Sequence, residues 1–524
     1  MAAMTAAITT RRPWTWPLTF LAVMTLLLTL ILRGDGYEYY WDEGPGSSNP
    51  EDAALEHDCA LNASTAEMLA LRGPVYYGRL AIDVLPSGAG KGKWYQYHRA
   101  GPAAAAGNNS AAKKNLDVPL PIQRHLGILD NGLFTAAEDQ TCRNHTTLRM
   151  ALPPSPSKAR PDASTLMFGV ATTLDRLEDS LLAFSHWAGH TGARILSLVD
   201  YDDAEGSASA GQVARILRDA GDLGVELEIA RQNLSGRGEY RPTEGDRSFA
   251  LVKYLYERQL QLAEEQEQDK GKKLPRWAAI IDDDTFFPSI SALLSRLSQY
   301  NATQPQYIGG LAEDLRQLQN YGYMAYGGGG IFLSMPLLRQ LNAHFDECNA
   351  TGFEGGDTRL AKCIYAHTST KLSWEPGLHQ TDLHGDPSGF YEAEREQPLS
   401  MHHWKSWNEV DVVSMSAVAS VCGEECLLQR FRFADGWVLV NGFSIFRHSE
   451  EYEGDGEGIA MEETWSDAGE YAHTLGPLRA KDFGKVSLRL EKSLVEGGQV
   501  RQFYVQRNEE QGDRVVEVVW RRVR

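Results

Sequence analysis

The chain has 524 residues, 42% of them hydrophobic and 23% charged, a composition that buries large cores and lies outside the range of a disordered polypeptide. Its length exceeds one ordinary core and implies an anchor or stem with one large or two medium domains. A formal net charge of −19 without Lys/Arg clusters excludes a broad nucleic-acid surface, so no nucleic-acid partner is expected and any nucleotide bound is small and screened by metal.

Residues 1–13 read as a short tail that carries Arg11 and Arg12. Residues 14–32, WTWPLTFLAVMTLLLTLIL, are uncharged and as a helix span about 28 Å, enough to cross hydrocarbon. The run is longer than the apolar part of a cleaved signal peptide and lacks a small-x-small site after it, which predicts an uncleaved transmembrane signal anchor. The arginines stay cytoplasmic under the positive-inside tendency, giving a single-pass type II topology with a lumenal bulk. Two further patterns agree with a secretory compartment. Cys59, Cys142, Cys348, Cys363, Cys422 and Cys426 are an even set of disulfide candidates. Asn62, Asn108, Asn144, Asn233, Asn301 and Asn349 each open an Asn-x-Ser/Thr triplet and are glycosylation candidates.

Residues 33–164 read as a partly ordered stem: acidic and Gly/Pro/Ser-rich at first, then strand-like in VYYGRLAIDVL (75–85), then low in complexity at 100–115. From 165 to 424 short apolar runs alternate with longer amphipathic ones. TLMFGVATT, LEDSLLAFSHWAGH, ARILSLVDYDD, AGQVARILRDAGDLG and VELEIA set a β-α-β-α-β rhythm, the signature of an α/β domain with a mixed, mostly parallel sheet. A helix follows over SFALVKYLYERQLQLAEEQEQDKGKK, its charged end a solvated surface extension, then WAAIIDDDTFF, a buried strand that delivers Asp282, Asp283 and Asp284 to its carboxyl end, the edge at which open α/β sheets bind ligands. Residues 425–524 break into strand-like pieces separated by Gly, Asp and Glu turns and read as a C-terminal β-rich appendage; the acidic run EEYEGDGEG within it is a solvated loop.

Three adjacent carboxylates repel one another and persist best beside a cation. A helix N-terminus is the competing explanation, since TFFPSISALLSRL looks helical, but capping accounts for one Asp rather than three. Downstream come YGYMAYGGGGIFLS (321–334), GFEGGDTRLAKCI (352–364) and LSMHHWKSW (399–407). The glycines let backbone approach a ligand closely. His402 and His403 add imidazole to hard oxygen ligands, a donor set that tilts the choice of cation from Mg²⁺ towards Mn²⁺.

The order of these segments, acidic triplet, four glycines, GGD-x₅-C and HHW, resembles that of the Fringe-like β-1,3-glycosyltransferases of glycosyltransferase family 31, most closely the branch found in fungi, over about residues 165–410. The resemblance implies a GT-A-like nucleotide-sugar-binding domain, a Mn²⁺ (or Mg²⁺) cofactor, a UDP-sugar donor and transfer with inversion to a glycan or glycoprotein acceptor, with galactosyl- or N-acetylglucosaminyl-type β-1,3 linkage. It makes Asp284 the metal ligand, with Asp282 as a further metal candidate and Asp282 and Asp283 near the ribose and water shell; register prefers His403 over His402. Thr172, Thr173, Arg176, Asp200, Lys253, Gly328 and Gly329 fall at donor-binding positions. The acceptor-side base falls on Asp357, with Glu354 as the fallback; Gly356 stands where many relatives carry a second acidic residue. The competing role for Asp357 is an N-cap of the following helix. Cys348 and Cys363 would clamp the GGD segment if paired, and Cys422 and Cys426 would close a tight loop. Golgi or ER membrane residence follows from anchor and family alike. The alternative of another class is a catalytically inactive sugar-binding member of the fold.

Overall fold

The structure is a computed structural model, and it describes residues 63–85, 124–130, 133–136, 146–151, 160–201, 207–231, 243–268, 270–271, 273–350, 355–408, 410–433, 435–449, 460–466 and 469–522. The expected anchor at 14–32, the cysteines Cys59 and Cys142, the sequons at Asn62, Asn108, Asn144 and Asn233, and Glu354 lie outside the described residues. Among the described residues no helix is long and apolar enough to cross a membrane.

The chain enters through α1 (Ala63–Met68), β1 (Gly73–Leu85), β2 (Arg124–Asp130), β3 (Leu133–Ala136) and β4 (Thr146–Ala151). It then follows the expected alternation: β5 (Leu166–Thr172), α2 (Leu174–Ala188), β6 (Arg194–Val199), α3 (Ala208–Asp222), β7 (Glu226–Arg231), α4 (Glu244–Gln268) and β8 (Trp277–Ile281). Next come α5 (Ile290–Leu297), β9 (Tyr307–Gly309), α6 (Leu315–Tyr321), β10 (Ile331–Ser334), α7 (Met335–Ala343), α8 (Phe345–Asn349), α9 (Gly356–His367) and β11 (Leu372–Trp374). Helix starts are set by hydroxyl caps: Thr173 accepts from the Arg176 N–H, Ser207 from that of Ala210 and Ser289 from that of Ala292.

Strands β5 to β11 form one sheet in the order β11-β9-β10-β8-β5-β6-β7. Neighbours in β8-β5-β6-β7 are parallel, whereas β10 runs antiparallel between β8 and β9. The central strands β5, β6, β8, β9 and β10 are buried on both faces and their residues alternate between two cores. Phe168, Val170, Ile195, Ala279 and Ile281 face one side, where Trp187 of α2 packs with its ring centroid 4.8 Å from that of Phe168. Met167, Leu196, Leu198, Ala278, Ile280 and Ile331 face the other, under α4, α7 and α9.

A second sheet contains β12 (Arg430–Arg432), β13 (Val438–Val440) and β14 (Ser444–Arg447) and, after the short parallel pair β15 (Met461–Glu462) and β16 (Leu478–Arg479), β17 (Val486–Glu496), β18 (Gln499–Gln506) and β19 (Asp513–Arg522). This sheet is not built from residues 425–524 alone. β1 pairs in parallel with β19, Val75 opposite Asp513 through Val84 opposite Arg522, and β2, β3 and β4 extend it. The expectation of an appendage separate from the stem therefore gives way to a sheet shared by the two. The reason is physical: the last strand buries Val515, Val516, Val518, Val519 and Trp520, and β1 covers an edge that would otherwise be open. One apolar core runs from Phe168 and Phe184 of the first sheet layer to Phe431, Val518 and Trp520 of the second.

Candidate active site

Because β5, β6 and β8 are parallel, their carboxyl ends share an edge: Thr172, Asp200 and the acidic triplet all emerge there. The antiparallel β10 begins at the same edge, with Ile331 opposite Ile280, so Gly327 to Gly330 arrive beside Asp282. The third component comes from far along the chain. Phe286 and Met401 exchange both backbone hydrogen bonds, 2.8 and 2.7 Å, in an isolated antiparallel bridge, and this pins His402 and His403 next to Asp284.

The three aspartates have different surroundings. The Asp283 carboxylate is buried and accepts from the Thr172 hydroxyl and from the Arg176 guanidinium, whose Nε is 2.7 Å away; the Lys405 ammonium lies 3.4 Å off. Its charge is thus matched by protein cations. Asp284, also buried, has Oδ1 3.0 Å from His402 Nε2, and its Oδ2 accepts from the Ser406 hydroxyl at 3.1 Å. Burial alone would raise its pKa; the hydrogen bond and charge of His402 outweigh that and hold it well below the usual carboxylate range. Asp282 is the half-buried member, 3.3 Å from the same His402 nitrogen. None of the three caps the next helix, because α5 starts at Ile290 with Ser289 as its cap.

His402 is buried, a cost that favours its neutral form, but its hydrogen bonds to Asp282 and Asp284 prevail and push its pKa well up. His403, expected as the ligand, lies further out, with Nδ1 3.9 Å from Asp284 Oδ2 and Nε2 3.2 Å from Asp382 Oδ1. Burial pulls its pKa down against the Asp382 hydrogen bond. Its backbone is left-handed, φ 59°, and its ring stacks at 3.8 Å on Trp407, which in turn stacks at 3.9 Å on His384. Asp284, His402 and His403 each offer a ligand atom, all within 4.8 Å of one another. One carboxylate and two imidazoles, with Asp282 alongside, suit a divalent cation of the Mn²⁺ to Zn²⁺ range. The nearer imidazole is thus that of His402.

Asp357 sits in the first turn of α9, where Gly355 is the N-cap, so it does not cap that helix. Its Oδ2 accepts from the Gly327 N–H at 2.8 Å. The protein packed around the carboxyl, and then the Asp282 charge, push its pKa up to about 7 against that hydrogen bond. It therefore stands beside Gly327, next to Asp282. The run is tight for a reason not foreseen. A Cβ on Gly328 would lie 2.1 Å from the His402 ring, one on Gly329 3.2 Å from the His379 backbone, and one on Gly327 3.2 and 3.3 Å from Asp357 and Asp282. Gly328 and Gly329, expected to meet the donor, are seated against protein.

The other expected donor residues divide. Thr172 and Arg176 are at the site, held by Asp283; Thr173 is a helix cap; Asp200 is exposed on the shared edge just after Val199. The expectation for Lys253 is corrected. It lies about two and a half turns along α4 from Glu244, 3.9 Å from Glu257 and 5.9 Å over the Phe345 ring, because α4 directs that turn at α8. Lys405, Ser406 and Asp382 were missed; Lys405 and Ser406 stand in LSMHHWKSW, but nothing in the sequence marks Asp382. Cys348 is disulfide-bonded to Cys363 and Cys422 to Cys426. Of the described sequons, Asn301 is exposed, while Asn349 accepts from Arg359 at 3.1 Å.

Comparison with known proteins adds three kinds of likeness. A human β-1,3-glucosyltransferase is 28% identical over 132 residues, a quarter of this chain and a quarter of that protein, so the chain spans only a small part of the length of that relative. Three glycosyltransferase structures match loosely. A mannosyltransferase from Pyrobaculum calidifontis in complex with GDP-Man and Mn²⁺ is 12% identical with a TM-score of 0.25, over 43% of this chain and 60% of that one. The glycosyltransferase GlyE of Streptococcus pneumoniae TIGR4 is 10% identical at 0.27, over 46% and 56%. The bifunctional WbbM is 9% identical at 0.29, over 52% of each. Scores this low leave the architecture to rest on the strand order given above. Residues 317–422, which hold the glycine run, Asp357, His402 and His403, match a family model described as "Protein of unknown function, DUF604".

Proposed function

We propose that the chain is a glycosyltransferase that moves a hexose from a UDP-sugar, with inversion and with Mn²⁺ as cofactor, to the hydroxyl of a glycan or glycoprotein acceptor, in a β-1,3 linkage. The observation that carries this is the meeting, at Gly327 to Gly330, of a carboxylate-imidazole cluster and a further carboxylate of raised pKa, Asp357, which accepts from the Gly327 N–H. The likeness to a β-1,3-glucosyltransferase supports the reaction class.

Asp284 and His402, with His403 and Asp282 beside them, would hold the cation; when bound, it supplies positive charge for the departing diphosphate, so no protein acid is needed there. Arg176 and Lys405 neutralise Asp283, which lets a third carboxylate stay buried at the floor without repelling the donor further. Asp357 takes the proton of the attacking acceptor hydroxyl as its oxygen bonds to the anomeric carbon and the bond to the diphosphate breaks. A carboxylate poised at about 7 is a better base than an ordinary Asp.

The uncharged run at 14–32, the sequons and the two disulfides support a type II anchor in the Golgi or ER membrane with the site lumenal. The test is a screen of UDP-sugars for UDP release with and without Mn²⁺. Metal-dependent release with at least one donor, lost in Asp284→Ala, is the expected result. No turnover of any donor alongside retained glycan binding would replace the enzyme by the inactive sugar-binding alternative.

A further inference from the structure

A second group of metal-ligating side chains lies outside the site. His344 immediately precedes α8, Glu347 lies one turn on, and His367 ends α9. His344 Nδ1 is 3.4 Å and His367 Nδ1 3.9 Å from the same Glu347 oxygen, Oε2, and the two imidazoles stack at 4.2 Å. One ligand atom from each residue falls within 4.8 Å of the others.

We propose that His344, Glu347 and His367 form a surface site for a divalent transition metal, Zn²⁺ or Cu²⁺, joining α8 to α9. Three arguments carry it. The donor set is two imidazoles and one carboxylate, which is common for zinc with a fourth position left to water. The spacing is compatible with coordination after small rotations, since bonds of about 2.0–2.2 Å to a shared ion bring ligand atoms to roughly 3–3.5 Å apart, and the Glu347 and His344 side chains are exposed enough to turn. The backbones are already fixed: the Cys348–Cys363 disulfide joins the residue after Glu347 to the residue one turn before His367. The ligands therefore need little ordering on binding.

Selectivity follows from the ligands. The cluster brings one carboxylate and no phosphate oxygens, so the affinity order of divalent ions, with Mn²⁺ lowest and Cu²⁺ and Zn²⁺ high, applies without correction. Occupancy of this site by Zn²⁺ and of the Asp284 cluster by Mn²⁺ are separate events, and the inference stands or falls independently of sugar transfer.

The test is Zn²⁺ titration of the full chain by calorimetry, with metal content measured after desalting, for the wild type and for His344→Gln, Glu347→Gln and His367→Gln. The wild type should bind one more equivalent than each Gln variant, or bind that equivalent at least ten-fold more tightly, and Zn²⁺ should raise its melting temperature more than theirs. Asp284→Ala should keep the surface equivalent. Identical stoichiometry and affinity in the wild type and the variants would overturn the site. Glu347 is exposed and His344 half-buried, so their variants decide the matter even if His367→Gln lowers the metal-free melting temperature.

Discussion

Asp357 and the acidic triplet differ in what their surroundings ask of them. Asp284 is kept ionised by His402, whereas Asp357 is pushed towards neutrality by burial and by Asp282. A pair of carboxylates driven apart in this way divides naturally into a ligand and a base. For the base, the sign is direct: it works only when deprotonated, so the rate should fall as pH drops through the folded pKa. The acid limb of kcat is expected at or below pH 7, since a bound cation draws the value down. Asp357→Asn should retain nucleotide binding, lose about 10²–10⁴-fold in kcat and flatten that limb. A variant with an unchanged pH-rate profile would remove Asp357 from the mechanism. At this scale the sequence was readable where chemistry is local. Three carboxylates after AAII declare themselves, and so does HHW. It was unreadable where partners are distant: that Asp283 is matched by Arg176 and Lys405, or that His402 rather than His403 lies nearest Asp284, depends on a two-residue bridge between Phe286 and Met401.

Elements decide why the glycines are glycines. β10 runs against β8, so its leading residues pass alongside the triplet and under the His402 ring. Alternating apolar runs predict strands but not their direction, and the antiparallel insertion of β10 was hidden for that reason. Gly328→Ala should displace His402, because its Cβ would lie 2.1 Å from the imidazole. Metal-dependent donor binding is expected to weaken by ten-fold or more, measured by calorimetry with Mn²⁺ and UDP. Gly211→Ala is the matched control: it lies inside α3 with nothing within 4 Å of the added methyl and should raise stability by about 0.5–1 kcal/mol. The clamp expected from Cys348 and Cys363 is present and closes a separation of 15 residues. Replacing both by Ala should lower the unfolding free energy by about 3 kcal/mol on the chain-entropy account, read from denaturant titration. A change below about 0.5 kcal/mol would mean that α8 and α9 hold their places without it.

At the scale of the molecule, β1 and β19 are the decisive pair. Their strand character was legible in VYYGRLAIDVL and VVEVVWRRV, but their pairing was not, since register across 438 residues leaves no local trace. Glu517 sits at the centre of that join, fully buried, bonded to the Tyr77 hydroxyl and to Arg501 Nε at 2.6 Å. Removing residues 516–524 should therefore expose β1 as well as β18, and limited proteolysis should cut the 63–85 region in the shortened chain and not in the intact one. The same pairing imposes an order on biosynthesis. At about 5–20 residues per second, Val75 waits roughly 20–90 s for Asp513 to be made. Strands β5 to β11 complete their pairing within residues 166–374 and can close during that interval. Until Asp513 to Arg522 have been made, β1 lacks its β19 partner and its edge is open to other strands.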